Sequence, residues 1–157
     1  MAVMIILSGA ASAAAATTTT TASLDLNVKS AILMDSATGQ VLYENNSDEA
    51  LPPASMTKMM TEYLVFKAIQ DGKLSWDQTI TVQENASLQI GSRVFLAEGD
   101  KHTVEELYKA MAIGSANDAT VQLAESVAGS EEAFAKLMND TAAQLGMTKT
   151  HFINSTG

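Results

Sequence analysis

The chain has 157 residues, of which 46% are hydrophobic, and its 18 acidic and 9 basic side chains give a formal net charge of −9. A chain this hydrophobic can bury enough apolar surface to offset its ordering entropy, which excludes a disordered acidic segment. The acidic balance argues against nucleic acid as a partner, and the absence of Cys excludes disulfides and thiolate chemistry. The two histidines, His102 and His151, lack ligand-like spacing, so we expect no metal and no cofactor.

The first 24 positions carry no charged side chain, whereas every charged residue lies from Asp25 onward. Residues 1–7 form a short apolar core, and the small residues after it match a signal-peptidase site, so residues 1–16 are interpreted as a signal-peptide-like segment. Residues 17–24 are rich in Thr and predict a flexible linker. We therefore expect an exported, extracytoplasmic protein, with membrane association only through regions outside this chain.

A β-hairpin is predicted at the start of the compact domain. Residues 28–35 and 41–43 have the composition of strands, and they flank a short polar segment that contains Gly39. Glycine suits a turn position with positive φ.

An amphipathic helix is predicted after Pro52 and Pro53, because proline cannot continue a strand or the interior of a helix. Five apolar residues then recur at helical spacing and predict one buried face: Met56, Met59, Met60, Tyr63 and Leu64. The methionines are interpreted as core packing rather than as a cofactor site. Short strands are predicted at residues 78–82 and 94–96.

Three consecutive helices are predicted in the C-terminal half of the chain. The first begins at a T-x-x-E capping box at Thr103 and stops at Gly114. Asn117 or Asp118 is predicted to cap the second, and the third covers residues 130–146. A hairpin, a helix, weak strands and three helices in this order predict an α+β domain rather than alternating βαβ units.

Ser55 and Lys58 form an S-x-x-K tetrad at the start of the first predicted helix. Residues i and i+3 project from the same helix face, so the Lys58 amine can reach the Ser55 hydroxyl. A lysine can activate a serine when burial lowers its pKa, and the helix N-terminus favours a developing oxyanion. The alternative is a solvated lysine, since a chain of this composition contains about 0.7 such tetrads by chance.

Ser115 and Asn117 form an S-x-N motif in the sharp connection between two predicted helices. Taken alone, either residue is readily explained as a helix cap. A chain of this composition contains about 0.6 S-x-N motifs by chance. What favours a functional interpretation is the joint order, in which an S-x-x-K at a helix start precedes an S-x-N in a helix–helix loop.

Three segments resemble the serine D-alanyl-D-alanine carboxypeptidases, which are low-molecular-mass penicillin-binding proteins of bacteria. They are residues 52–58 (PPASMTK), 114–119 (GSANDA) and 145–152 (LGMTKTHF), and the resemblance covers residues 28–157. It implies the penicilloyl serine transferase fold that β-lactamases share, an α+β domain with an antiparallel sheet packed against a helical cluster.

The resemblance also implies a role for each motif residue. Ser55 would be the acylated nucleophile and Lys58 its general base. Ser115 would relay a proton to the leaving amine, and Asn117 would bind the amide of the substrate. The implied reaction removes the terminal D-alanine from a peptidoglycan stem peptide ending in D-Ala-D-Ala, through an acyl-enzyme that water hydrolyses. β-Lactam antibiotics would acylate the same serine, and no cofactor is implied.

The third element of the family, K-T-G, does not occur in these residues: positions 149–151 read K-T-H and positions 155–157 read S-T-G. We therefore expect residues 25–157 to be the N-terminal part of the catalytic domain, truncated before K-T-G. In the family, that element contacts the substrate carboxylate and supplies an oxyanion N–H, and loss of one such donor costs about 10²–10³ in rate. The piece alone is expected to be poorly folded and inactive.

Two alternatives share the fold but differ in function. A class A β-lactamase is less consistent with the sequence, because Ala116 stands where that class has Asp. Rapid deacylation of bound penicillin would distinguish it. The other is a noncatalytic envelope protein that uses the fold to bind peptidoglycan, for which substitution of Ser55 would leave the cellular phenotype unchanged.

Overall fold

The computed structural model describes residue 24 and residues 26–157. The chain divides into two compact units, of which the first ends at Glu49 and the second begins at Ala50. The predicted signal-peptide-like segment and, apart from Leu24, the predicted linker lie outside the described residues.

The first unit contains the predicted hairpin. Strand β1 (Ala31–Met34) pairs antiparallel with β2 (Val41–Asn45). The turn between them has Gly39 at φ 72°. The Asp35 carboxylate accepts hydrogen bonds from the backbone N–H of Thr38 at 2.8 Å and from its hydroxyl at 2.7 Å. These contacts close the turn locally, as the composition of the segment predicts.

The second unit contains the remaining elements. A 3₁₀ helix, Ala54–Thr57, leads directly into α1 (Lys58–Gln70). The others are β3 (Thr79–Thr81), α2 (Glu84–Ser87), β4 (Lys101–Thr103), α3 (Val104–Gly114), α4 (Asn117–Ala128) and α5 (Glu131–Gln144). Strands β3 and β4 pair antiparallel, with Ile80 opposite His102. This combination of helices with small antiparallel sheets confirms the predicted α+β class.

Helix α4 lies at the centre of the second unit and contacts α1, α2, α3 and α5. Its residues Val121, Leu123 and Ala124 are completely buried. In the helices that contact it, Leu107 of α3 is 1% exposed and Phe134 of α5 is 0% exposed. The loop that begins α4 is therefore held on a rigid core, and that loop carries the S-x-N motif.

The buried face predicted for the first helix, which forms as the 3₁₀ helix and α1, is wrong for three of its five residues. The exposed ones are Met56 (67%), Met59 (68%) and Tyr63 (46%). Met60 and Leu64 are buried as predicted, but the buried side of the helix also includes Lys58, Thr61 and Val65. Because α1 is apolar around most of its circumference, helical spacing alone did not identify its inner side. The lysine of the S-x-x-K tetrad therefore lies in the interior.

The strand predicted at residues 94–96 does not form. Strand β3, which lies within the predicted 78–82, pairs instead with β4. The backbone N–H groups of Val94 and Leu96 donate to the buried carboxylate of Asp118, and Phe95 has φ 62°. A segment whose N–H groups are bound by a side chain, with a left-handed residue between them, cannot join a β-ladder.

Of the N-caps predicted for α3 and α4, only that of α3 is found in the structure. The predicted capping box is confirmed, since the Thr103 hydroxyl accepts from Glu106 N–H and the Glu106 carboxylate from Thr103 N–H. The predicted caps of α4 are wrong: the N-cap is Ala116, which makes no side-chain hydrogen bond, and Asn117 is the first helical residue. The Asn117 side chain is turned toward α1 instead.

Candidate active site

The 3₁₀ helix brings the first and last residues of the tetrad, Ser55 and Lys58, into contact. Lys58 Nζ lies 3.1 Å from Ser55 Oγ. In a 3₁₀ helix, side chains at i and i+3 are nearly eclipsed, which favours this contact more than an α-helical turn would. The turn begins at Ala54, whose φ of 50° is unusual for a residue other than glycine. The sequence predicted the contact, although it placed both residues in an α-helix.

The Lys58 amine is buried, whereas Ser55 faces solvent. Lys58 is 2% exposed, and burial lowers the pKa of its amine from the ordinary value of 10.5. The hydrogen-bond partners of Nζ are all uncharged: Ser55 Oγ, Asn117 Oδ1 and the Thr156 carbonyl. No carboxylate is among them to stabilise the ammonium form, so these contacts do not offset the lowering of the Lys58 pKa by burial.

Asn117 connects the S-x-N loop to the tetrad. Its Oδ1 accepts from Lys58 Nζ at 2.7 Å, and its Nδ2 donates to the Ile90 carbonyl at 2.6 Å. Its backbone N–H donates to the Ser92 carbonyl at 2.7 Å. A Cβ at Gly91 would lie 2.9 Å from Nδ2, so this position requires glycine for the close approach. The amide of Asn117 is thereby held in one orientation, with its oxygen toward Lys58.

Ser115 occupies the turn between α3 and α4. It has φ 52°, in the left-handed region, and its backbone N–H donates to the Ala110 carbonyl. The structure thus brings Ser55, Lys58 and Asn117 into one hydrogen-bonded group, whereas Ser115 is not bonded to the Lys58 amine. Ser115 is half-buried and lies two positions before Asn117 in the chain.

The sequence did not predict that Thr156 contributes to this group. Its carbonyl oxygen accepts from Lys58 Nζ at 3.3 Å. A backbone carbonyl can belong to any residue type, so no motif marks it. The available signal was the pair Asn154 and Gly157, which is typical of a tight turn. Asn154 Oδ1 accepts from the N–H groups of Thr156 and Gly157 at 3.1 and 2.6 Å.

A buried carboxylate next to Asn117 supports the loop that holds it. Asp118, 1% exposed, accepts from Val94 N–H at 3.2 Å, Leu96 N–H at 3.0 Å and Ala119 N–H at 2.9 Å. Three backbone donors offset the cost of burying this side chain. The same loop presents the Ile90 and Ser92 carbonyls to Asn117.

We expect the substitution Asp118→Asn to lower the free energy of unfolding by about 2 kcal/mol, because an NH₂ group would face a backbone donor. Urea unfolding of the complete gene product measures the change. Asp100→Asn is the matched control, since the Asp100 carboxylate accepts from Ala97 N–H at 3.0 Å on the surface. If the two substitutions cost the same, Asp118 has no special part in holding the loop.

Within the described residues, no group of three or more His, Asp or Glu side chains could hold a metal ion. No helix in the described part of the chain is both long and apolar enough to cross a membrane.

The family model and several curated proteins that match this chain carry the same description. The peptidase S11 family, described as D-alanyl-D-alanine carboxypeptidase, matches residues 15–157. The D-alanyl-D-alanine carboxypeptidase DacF of Bacillus subtilis is 47% identical over 129 residues, which are 82% of this chain and 33% of DacF. The chain therefore spans about a third of the length of the curated relatives it matches.

Solved structures agree with these relatives. The D-alanyl-D-alanine carboxypeptidase DacD from Francisella tularensis superposes with a TM-score of 0.83 at 42% identity, covering 87% of this chain and 33% of that one. Penicillin-binding protein D2 from Listeria monocytogenes, solved in its ampicillin-bound form, has a TM-score of 0.77 at 34% identity and covers 86% of this chain and 54% of its own. Both support the fold of the penicillin-binding proteins.

Proposed function

This chain belongs to the D-alanyl-D-alanine carboxypeptidase family, and we propose that it carries the nucleophile and base of a serine-type D-Ala-D-Ala carboxypeptidase. The observation that carries the proposal is the contact between the buried Lys58 amine and the Ser55 hydroxyl, at 3.1 Å. A lysine held among uncharged partners is suited to accept a proton, and an exposed serine beside it is accessible to a substrate.

The first chemical step follows from this contact. The neutral Lys58 amine takes the proton of the Ser55 hydroxyl while Ser55 Oγ attacks the carbonyl carbon of the penultimate D-alanine. The bond between that carbon and the amide nitrogen of the terminal D-alanine then breaks. The proton that Lys58 took from Ser55 then passes to the leaving amine, a transfer that we assign to the Ser115 hydroxyl as relay, and Lys58 becomes neutral again.

The second step returns the enzyme to its starting state. Water attacks the carbonyl carbon of the acyl-enzyme, the bond from that carbon to Ser55 Oγ breaks, and one proton of the water passes to Ser55 Oγ as the shortened stem peptide leaves. We assign Asn117 to contact the substrate amide. In the structure both ends of its side-chain amide are engaged, by Lys58 and by Ile90, so substrate binding must replace or share one of these hydrogen bonds.

β-Lactam antibiotics would acylate Ser55 by the same attack, on the carbonyl of the lactam ring. The ampicillin-bound form of the Listeria relative supports this part of the proposal. If the substrate is the stem peptide of peptidoglycan, the enzyme acts outside the cytoplasm. The signal-peptide-like residues 1–16 favour the same location. Residues 25–157 would form the N-terminal part of the catalytic domain.

The reaction is tested by incubating the complete gene product with a peptide ending in D-Ala-D-Ala and measuring the D-alanine released. We expect one D-alanine per peptide and inhibition by penicillin, with slow release of the penicilloyl group. Rapid turnover of penicillin without release of D-alanine would instead indicate a β-lactamase. No release and no acylation would indicate a noncatalytic binding protein.

A further inference from the structure

The segment formed by residues 152–157 is held against α1 and α5 by side chains that the proposed reaction does not use. The Thr61 hydroxyl donates to the Ser155 carbonyl at 2.7 Å, and both residues are completely buried. Glu131 Oε1 accepts from the Ser155 hydroxyl at 2.9 Å and from its N–H at 3.2 Å. Asn139 exchanges two hydrogen bonds with the backbone of Phe152, at 2.7 and 2.8 Å. The backbone on both sides of Ser155 is therefore fixed.

The next residue in this segment, Thr156, directs its carbonyl oxygen at Lys58 Nζ. A neutral amine has two N–H donors and one lone pair. Asn117 Oδ1 and the Thr156 carbonyl can only accept, so they take the two N–H groups. The remaining partner, the Ser55 hydroxyl, is the one that can donate. In the neutral form of Lys58, the lone pair would then be the part of the amine that faces Ser55 Oγ, 3.1 Å away.

We infer that Thr61, acting through segment 152–157, is a positioning residue that keeps the Lys58 lone pair directed at Ser55. The inference rests on the proposed role of Lys58 as the general base. Without the Thr61 hydroxyl, the Ser155 carbonyl loses its buried donor and the adjacent Thr156 carbonyl is free to move. Lys58 can then turn an N–H toward Ser55 Oγ, an orientation that cannot accept a proton.

The Thr156 carbonyl also influences which form of the amine is favoured. It accepts a hydrogen bond more strongly from an ammonium than from a neutral amine, so its loss lowers the pKa of Lys58 further. The carboxylates on neighbouring elements do not bind Lys58: Asp118 on α4 binds backbone N–H groups and Glu131 on α5 binds Ser155. Glu62, on α1 itself, is not a partner of Nζ either.

The test is the rate of acylation by a penicillin as a function of pH in the Thr61→Val variant of the complete gene product. Valine has nearly the shape of threonine but no hydroxyl. We expect the plateau rate at high pH to fall about tenfold, because small misplacements of a reacting group are costly. We also expect the midpoint of the acid limb to move to lower pH. Thr61→Ser restores the hydroxyl and should restore both quantities.

The control is Ser126→Ala, which removes a hydroxyl-to-carbonyl hydrogen bond of the same 2.7 Å length inside α4. It should leave the plateau and the midpoint unchanged. An unaltered profile in Thr61→Val, a lower plateau with an unmoved midpoint, or the same changes in Ser126→Ala would each overturn the inference.

If Thr61→Val does not fold, Glu131→Ala is measured in the same way, and its profile is expected to change in the same directions. A folded Glu131→Ala protein with the original profile would overturn the inference. Failure of the proposed function is separately visible, because the unsubstituted protein would then not be acylated at all, or acylation would persist after the substitution Ser55→Ala.

Discussion

Replacing Ser55 by Ala is expected to reduce acylation by penicillin and release of D-alanine by about 10⁴-fold or more, to background. The substitution removes the oxygen that forms the acyl bond. The neighbouring Lys58 amine is buried, with the residue only 2% exposed, and it serves as the base, so it cannot replace Ser55 as the nucleophile. Fluorescent penicillin on denaturing gels measures acylation, and an assay of free D-alanine measures turnover.

The matched control is Ser75→Ala. Ser75 is an exposed serine whose hydroxyl donates to Asp77 at 2.7 Å. Its loss should leave both activities within about twofold of the original protein, since surface substitutions have small effects. Retention of penicillin labelling in Ser55→Ala would exclude Ser55 as the nucleophile.

The substitution Lys58→Met is expected to slow acylation by about 10²–10⁴-fold, the usual contribution of a general base. Methionine preserves most of the buried volume and removes the amine. Lys58→Arg should be as inactive, because a guanidinium stays protonated and cannot accept the proton of Ser55. Stopped-flow measurement of acylation separates this step from deacylation.

Lys67→Met is the control for this prediction. Lys67 lies in the same helix but is exposed, in an ion pair with Asp71 at 3.6 Å, and its loss should not change the rate. In the original protein, the acylation rate should rise with pH as Lys58 loses its proton, with a midpoint below the ordinary lysine value, because burial lowers its pKa. A rate independent of pH, or normal acylation by Lys58→Met, would contradict the role of base.

The sequence predicted those parts of the fold that depend on local signals. The turn at Gly39, the capping box at Thr103 and the end of a helix at Gly114 each depend on residues close in the chain. The contact between Ser55 and Lys58 belongs to the same class, because three positions along one helical turn bring the side chains together whatever the rest of the fold does.

Other features depend on packing between distant segments and could not be derived from spacing. The side of α1 that is buried was one of them, because this helix is apolar on nearly all sides. Asn117 was expected to cap its own helix, but it lies 2.7 Å from an amine 59 positions earlier in the chain. The Thr156 carbonyl, 98 positions after Lys58, is a backbone group and has no signature in the sequence.

The burial of Lys58 therefore depends on packing between distant segments of the chain and not on the S-x-x-K motif alone. The S-x-x-K tetrad places the amine next to Ser55, and α4 and the segment 152–157 supply the uncharged acceptors around it. A chance tetrad on an exposed helix would have the same four letters with a fully solvated lysine. The difference between the two is the pKa of the amine, which decides whether it can act as a base near neutral pH.

The most direct test of the proposed acyl-serine chemistry is to locate the acyl group by mass spectrometry. The complete gene product is treated with penicillin, digested with a protease and analysed by peptide sequencing in the mass spectrometer. We expect one penicilloyl group per chain, attached to Ser55. A penicilloyl group on any other residue, or a protein that stays unmodified at saturating penicillin, would contradict the assignment of Ser55 as the nucleophile.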